Sequence, residues 1–439
     1  MPDTDFASLH LIEPLQHALA DAGYQQPTPI QQQAIPVLLS GADLLGIAQT
    51  GTGKTAAFSL PLLHHMVCNQ RKAKPKTPLA LILAPTRELA LQISEEIAKF
   101  GKYSSIRQAV IFGGVGQNPQ VKALARGIDI LIATPGRLLD LSAQKHLNLG
   151  SVEFLVLDEA DRLLDMGFVR DVRRIVSQTP RSRQSLLFSA TMPREVAELA
   201  KDMLKKPERV EVTPKQVTVK RITQKVVMVE TGNKRQALAK LLRMPEVSRA
   251  IIFTRTKHGA NKVAKHLEAD GISAVAIHGN KSQNARQRAL AAFKSGDVWA
   301  LVATDIAARG IDIDGVSHVI NHELPHEPES YVHRIGRTGR AGADGAAWSL
   351  VDDAERPRLK QVERLIRFTI DRETLDLPPP TAQEAEPIRR SPRQRQQQPR
   401  RSGGNAPGQS TARTDTPAKP KRRRRRRRKS SQTGSSPSS

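Results

Sequence analysis

Cysteine is almost lacking: Cys68 is the one thiol among 439 residues. A single thiol closes no intrachain disulfide and builds no cysteine zinc site, so a reducing compartment fits. Cys68 stands among apolar residues, where a small core side chain is expected. Aromatics make up 3% of the chain, too few for a platform on which splayed bases stack. No apolar run reaches the length of a membrane-spanning helix. The opening residues, Met1-Pro-Asp-Thr-Asp-Phe6, are acidic and lack the basic-then-apolar order of a secretory leader, so a cytoplasmic location is expected. Acidic residues are also scarce relative to basic ones. The chain has 43 Asp and Glu against 68 Lys and Arg, a net charge of +25. That excess points to a polyanionic partner, nucleic acid first, gripped through phosphate and sugar rather than through its bases.

Hydrophobic residues supply 38% of the chain, enough for sizeable cores. Apolar runs of strand length alternate with helical patterns. In the first half they are Leu44–Ala48, Ala80–Ala84, Ala109–Phe112, Ile128–Ala133, Phe154–Leu157 and Ser185–Phe188. A second series contains Lys225–Val229, Ala250–Phe253, Ala274–Ile277, Ala300–Ala303, Val316–Ile320 and Ala346–Val351. Such alternation predicts an α/β fold, parallel sheets flanked by helices. A first domain is expected over 1–207, a linker over 208–220, a second domain over 221–375 and a disordered tail over 376–439. A last helix over 354–368 should pack on the second domain. In the tail, Pro378-Pro379-Pro380 breaks structure, and too little apolar surface follows to offset chain entropy. From Thr381 to Ser439, 17 Lys and Arg face 3 Asp and Glu, and Arg422 to Arg428 is an unbroken arginine run.

Ala48-Gln49-Thr50-Gly51-Thr52-Gly53-Lys54-Thr55 follows a strand-like run and opens a helical one, the setting a phosphate-binding loop requires. Its glycines let backbone N–H groups approach phosphate oxygens, and the helix N-terminus adds positive potential. Lys54 would reach the β- and γ-phosphates of ATP, and the Thr55 hydroxyl would ligate Mg²⁺. Ala48 replaces the first glycine of the strict motif. Asp158-Glu159-Ala160-Asp161 follows the apolar run Phe154–Leu157, which puts two carboxylates at a strand's C-terminal end. Asp158 would hold Mg²⁺, and Glu159 would orient and deprotonate the attacking water. Far downstream stands His333-Arg-Ile-Gly-Arg337-Thr-Gly-Arg340. Arg337 and Arg340, set across a cleft from the phosphate loop, would act as arginine fingers. Near the N-terminus, in the stretch from Gly23 and Tyr24 to Gln31, the Gln31 amide would read the adenine edge.

These blocks together resemble the DEAD-box family of RNA helicases over about Phe6 to Phe368. Further blocks match in order: Pro85-Thr-Arg-Glu-Leu89, Gly113-Gly114, Thr134-Pro-Gly-Arg137, Ser189-Ala-Thr191, Ile252-Phe253-Thr254, Gln283 with Arg286, and Ala303 through Asp312. His278 to Gln283, Phe253 to Ala260 and the basic tail look most like the bacterial RhlE group. The resemblance implies two tandem RecA-like domains. It also implies that Phe6 and Tyr24 pack near the adenine, and that Asp305, Arg309 and Asp312 face the nucleotide from the second domain. His333 joins the catalytic set, and Ser189 and Thr191 couple hydrolysis to strand separation. RNA contacts are implied for Pro85, Thr86, Arg87, Gly114, Thr134, Gly136, Arg137, Arg286 and Thr304. No matched catalytic position carries an inert residue.

Two other functions use a similar engine: a DNA translocase, and an RNA-annealing protein whose ATPase is incidental. The tail is expected to tether RNA. Read alone, its arginine run equally suits a nuclear import signal, a protein partner or ribosomal RNA. Precursors of the ribosome and the RNA-decay machinery are the partners such a chemistry would serve.

Overall fold

The computed structural model describes residues 5–49, 51–212, 222–308, 315–339 and 345–377. Most of the expected linker and tail therefore lie outside the described residues. The first sheet takes its strands in chain order as β1 Leu44–Ala48, β2 Ala80–Leu83, β3 Gln108–Ile111, β4 Ile130–Ala133, β5 Phe154–Leu157, β6 Gln184–Ser189 and β7 Glu208–Val212. The second takes β8 Ile222–Met228, β9 Ala250–Thr254, β10 Ala274–Ile277, β11 Ala300–Thr304, β12 His318–Asn321, β13 Gly345–Val351 and β14 Asp371–Glu373.

The spatial orders are β3-β4-β2-β5-β6-β1-β7 and β10-β11-β9-β12-β13-β8-β14. Counted from its own first strand, the second sheet repeats the order of the first. All described strand pairs are parallel. A parallel sheet needs crossover helices on both faces, so its central strands are apolar throughout. Ala-Leu-Ile-Leu of β2 and Ile-Leu-Ile-Ala of β4 are buried at every position. Each sheet is sandwiched between two core layers, one per face.

Three expectations need correction. Residues 208–212, read as the start of the linker, form β7 and pair with β1. The segment Glu-Arg-Val-Glu-Val is charged because an edge strand covers only one face, and Val210 alone is buried. Strand β14, after the last helix, is charged for the same reason and has no apolar run to mark it. That helix runs Arg356–Ile366 behind a short turn at Asp353–Glu355. Cys68 is exposed rather than in the core. It sits in the last turn of the helix Lys54–Asn69, on the side facing away from the buried Leu63 and Met66.

The second domain also buries a charged knot. Lys234, at the start of the helix Lys234–Leu242, ion-pairs with Glu355 and lies 3.5 Å from Asp352. Glu355 in turn accepts the Leu324 N–H at 3.0 Å, which fixes the chain leaving β12. Glu355 is 1% exposed, so removing its cation would strand a buried charge. Lys234→Ala is expected to destabilise the protein by about 3–5 kcal/mol, and Lys234→Met with Glu355→Met by much less. Urea unfolding of the full chain measures both. Equal losses in the single and double variants would show that packing, not charge, matters there.

Candidate functional site

The two motifs of the first domain meet because their strands flank a common neighbour in the sheet. The phosphate loop follows β1, the acidic motif follows β5, and β6 lies between them. All three release their loops at the same sheet end, where open α/β sheets bind ligands. Gly53 begins the helix Lys54–Asn69 with φ +90°, and a β-carbon there would fall 2.4 Å from the Gln31 amide nitrogen. Only glycine suits both demands. Lys54 is buried, and its Nζ donates to the Ala48 carbonyl at 3.0 Å across the loop. Thr52 donates to the Gln49 carbonyl at 2.8 Å. Gly51 is exposed, Thr55 stands half-buried beside Lys54, and Thr50 lies outside the described residues.

Gln31 holds a place the sequence did not suggest. Its Oε1 accepts the Thr28 N–H at 2.9 Å, and its Nε2 donates to the Gly53 carbonyl at 3.1 Å. The glutamine thus ties its own helix start to the phosphate loop. Tyr24 packs edge-on against Phe6 at 6.3 Å and Phe100 at 5.4 Å.

Glu159 adopts a left-handed backbone, φ +51°, as it turns from β5 into the helix Ala160–Asp165. Burial raises the Asp158 carboxyl to about 6, against the pull of Lys54 and with the push of Glu159. Burial works on Glu159 too. There Arg162, Lys54 and Arg337 outweigh it and hold the carboxyl below its ordinary range. Arg162 donates to Glu159 at 2.6 Å. Asp161, absent from the expected catalytic set, is the anchor of the neighbouring loop. Its Oδ2 accepts the Thr191 N–H and Oγ at 2.9 Å each and the Ala190 N–H at 3.2 Å. Ser189 closes the knot, accepting the Asp161 N–H at 3.2 Å and donating to the Thr191 carbonyl at 2.7 Å.

The second domain faces this group with the helix Pro328–Ile335. A cleft of about 260 Å³ is lined by Arg162 of the first domain and by Asp305, His333, Arg334 and Arg337 of the second. Arg337 is 5% exposed. Burial, then Arg162, lowers its guanidinium to about 9, while Glu159 opposes the fall. Arg337 therefore acts across the domain boundary on the acidic motif. Asp305 lines the same cleft, but its carboxylate is gripped bidentately by Arg334 at 2.5 and 2.7 Å. Arg309, Asp312 and Arg340 lie outside the described residues.

The expected RNA residues cluster as well. Pro85, Thr86 and Arg87 follow β2, Gly114 follows β3, and Thr134, Gly136 and Arg137 follow β4. These are three adjacent strands at one edge of the sheet. Thr86 and Thr134 are the N-caps of the helices Arg87–Phe100 and Pro135–Ala143. Gly114 has φ +75°, and a β-carbon there would strike the Arg87 guanidinium at 2.4 Å. In the second domain, Arg286 lies on the helix Gln283–Ser295 after β10, and Thr304 ends β11. Contacts join the two sets: Glu88 accepts from Gln283 at 3.1 Å and pairs with Arg286 at 3.1 Å, and Arg87 donates to Gln283 at 3.2 Å. Burial depresses Arg87, and Arg286 and Arg137 add to it, with Glu88 alone opposing. Arg137 Nη1 and Arg286 Nε are buried with no acceptor among the described residues. Three guanidiniums therefore crowd this boundary, and two of them carry a buried donor without an acceptor.

The fold and the site define a two-domain nucleoside triphosphatase whose active groups are divided between RecA-like halves. The family comparison is more specific: the DEAD/DEAH box helicase model matches residues 28–199, and the helicase conserved C-terminal domain model matches 233–342. The chain belongs to the DEAD-box helicase family. It is 43% identical over 369 residues to the DEAD-box ATP-dependent RNA helicase CshA of Bacillus cereus, covering 84% of this chain and 69% of that relative. It is 48% identical over 334 residues to DEAD-box ATP-dependent RNA helicase 30 of Arabidopsis thaliana, covering 76% of this chain. The match spans only 56% of the plant protein's length. Among solved structures, S. cerevisiae Dbp5 bound to RNA and ADP BeF3 is similar with a TM-score of 0.75 at 33% identity, covering 84% of this chain and 95% of that one.

Asp161→Ala would remove the acceptor on which Ala190 and Thr191 hang. Amide exchange at those two residues is expected to quicken by about tenfold or more, since a hydrogen bond to a charged group is worth roughly 1.5–3 kcal/mol. Hydrogen-exchange mass spectrometry reads this directly, and unchanged protection of the 189–191 loop would refute the anchoring role.

Proposed function

We propose that this chain is an ATP-dependent RNA helicase that separates short duplexes locally when its two domains close on ATP and one RNA strand. The observation that carries the reading is Arg337. It is a buried cation of the second domain whose charge acts on Glu159 of the first. Neither half holds the full set of groups that phosphoryl transfer to water needs.

In this reading Lys54 and the backbone amides of the loop bind the β- and γ-phosphates. Glu159, kept ionised by Arg162, Lys54 and Arg337, takes a proton from the attacking water. Arg337, with Arg340 beside it in sequence, neutralises charge on the transferring group, leaving ADP and phosphate. Among the described residues no cluster of three His, Cys, Asp or Glu builds a closed metal site. Mg²⁺ suits such an open site, held by Asp158 and Thr55 and completed by phosphate and water. A bound dication would reverse the burial penalty that raises Asp158. Mg²⁺ would supply charge neutralisation between the phosphates. Phe6, Tyr24 and Gln31 would form the adenine side, and Asp305 would border the nucleotide from the second domain.

RNA is read through its backbone, without base selection, by the arginine cradle and the helix N-termini at Thr86 and Thr134. The Asp161–Thr191 knot would carry the state of the nucleotide site to the strand. His333 stands in the cleft between the two domains. Ribosome assembly and RNA turnover in the cytoplasm are the processes we favour. Assignment to the RhlE group rests on the stretches 253–260 and 278–283 and on the basic tail.

Lys54→Ala and Arg337→Ala are both expected to abolish RNA-stimulated ATP turnover, the arginine change by about 10³-fold or more. RNA should stimulate where DNA of the same sequence does not, because the 2′-hydroxyl distinguishes them. A coupled ATPase assay with each polymer decides this. Turnover indifferent to RNA would remove the basis of the proposal. Truncation after Asp376 is expected to raise KM for RNA most at low salt, with kcat near its full-length value. The same assay across a salt series measures it, and an unaltered KM would show that the tail does not hold RNA.

A further inference from the structure

The strands β2, β3 and β4 carry the expected RNA residues at their C-terminal ends. Their N-terminal ends, on the opposite rim of the sheet, carry a second concentration of positive charge that no step of the ATPase uses. Arg71, Lys72 and Lys74 precede β2, Lys122 and Arg126 precede β4, and Lys145 follows the helix Pro135–Ala143; all six are exposed.

Backbone contacts hold these loops together as one surface. The Lys76 N–H donates to the Leu124 carbonyl at 2.9 Å, and the Asn148 N–H donates to the Lys76 carbonyl at 2.8 Å. The side chain of Arg107, at the head of β3, donates to the Arg126 carbonyl at 2.9 Å. Gly127 fits closely under Ala73, whose carbonyl would lie 2.7 Å from a β-carbon there. The carboxylates set against this surface are already engaged. Asp129 is 6% exposed and holds the Ala73 and Arg107 N–H groups at 3.0 and 2.8 Å. Glu153 pairs with Arg71. The charges of Lys72, Lys74, Lys122, Arg126 and Lys145 enter no ion pair among the described residues.

Like charges pinned on one surface repel one another, and a polyanion relieves that repulsion while releasing its own counterions. No aromatic side chain belongs to the patch, so it suits a phosphate backbone rather than stacked bases. Its position suits the same polymer. A four-residue strand spans roughly 13 Å. The two rims therefore lie a short distance apart around the edge strand β3, whose Gln108, Ala109 and Val110 are only half-buried.

We infer that the N-terminal rim of the first sheet is a second RNA-backbone site, which takes the strand or duplex flank leaving the cleft around the β3 edge. The inference rests on the reading of the chain as an RNA-dependent ATPase, and it makes the first domain a tether in its own right. It predicts that long RNAs bind more tightly than strands that fill only the cleft, for a reason separate from the tail.

The test uses the full-length chain with Lys72, Lys74, Lys122 and Arg126 all changed to Gln, whose fold circular dichroism verifies. Binding of a long labelled RNA is followed by anisotropy across a salt series. The log–log salt slope is expected to become shallower by about 3, since each of four lost single-strand phosphate contacts removes roughly 0.7. KM for the long RNA should rise severalfold. Photocrosslinks between the RNA and the 71–76 segment should appear in the unaltered protein and vanish in the variant. An unchanged slope without crosslinks in that segment overturns the inference, as does a loss confined to binding of poly-glutamate, which would mark a site for acidic protein. Stimulation of the unaltered chain by a short strand, run alongside, keeps failure of the patch distinct from failure of the ATPase reading.

Discussion

Charge on a buried arginine is the constraint around which this molecule is arranged. Arg337 sits almost wholly out of water, and burial lowers its guanidinium to about 9. A cation held this way is costly unless an anion faces it. In the structure the facing anion is Glu159, already shared with Arg162 at 2.6 Å. One carboxylate therefore serves two guanidiniums from two domains. A triphosphate entering the loop at Lys54 would bring the negative charge this group lacks. Its binding would then favour the arrangement in which Arg337 is near, and that arrangement would favour its binding in return.

The boundary around Glu88 repeats the same physics. Arg87, Arg137 and Arg286 crowd one another, with Glu88 paired to Arg286 and Asp140 to Arg137. Glu88 also accepts from Gln283, so it spans the two domains with a single oxygen. A phosphate strand laid across this cradle would meet the donors left over on Arg137 and Arg286. Both ligands thus add anions at a boundary where cations from both sides have been gathered. Neither ligand needs to touch the other for their binding to be linked, because each stabilises the same juxtaposition.

Much of this was legible in the chain, and the reason is parallel-sheet topology. A phosphate loop must follow a strand and open a helix, and the acidic motif must end an apolar strand. Both rules place residues from sequence alone, and β1 and β5 lie where they predict. Edge strands were harder to see. β7 and β14 are rich in charge because one side has nothing to cover it, so no apolar run announces them. Cys68 looked buried from its neighbours, but its turn of the helix faces outward. The inward bonds of Gln31 and the spanning role of Glu88 were hidden for another reason. Each depends on partners far off in sequence: Gly53 for the one, Gln283 and Arg286 for the other. The anchoring by Asp161 could have been suspected, because a fourth residue of an acidic motif on the turn into a helix needs donors, and β6 ends beside it.

The repeated strand order has a consequence for how two halves of different chemistry can work as one engine. Since both sheets run β3-β4-β2-β5-β6-β1-β7 in their own counting, each offers the same rim of loops in the same sequence of positions. In the first sheet the loops after β1 and β5 carry the phosphate-loop and acidic motifs, and those after β2, β3 and β4 carry Arg87, Gly114 and Arg137. In the second, Arg286 follows β10 and Thr304 ends β11, the counterparts of β3 and β4. The arginine helix follows β12, the counterpart of β5. Acid on one half is therefore matched by base on the other at the corresponding strand, and the loops that carry Arg87, Gly114 and Arg137 by the loop that carries Arg286. The complementarity that closure needs comes from one scaffold used twice, with opposite charge placed at the end of the same strand.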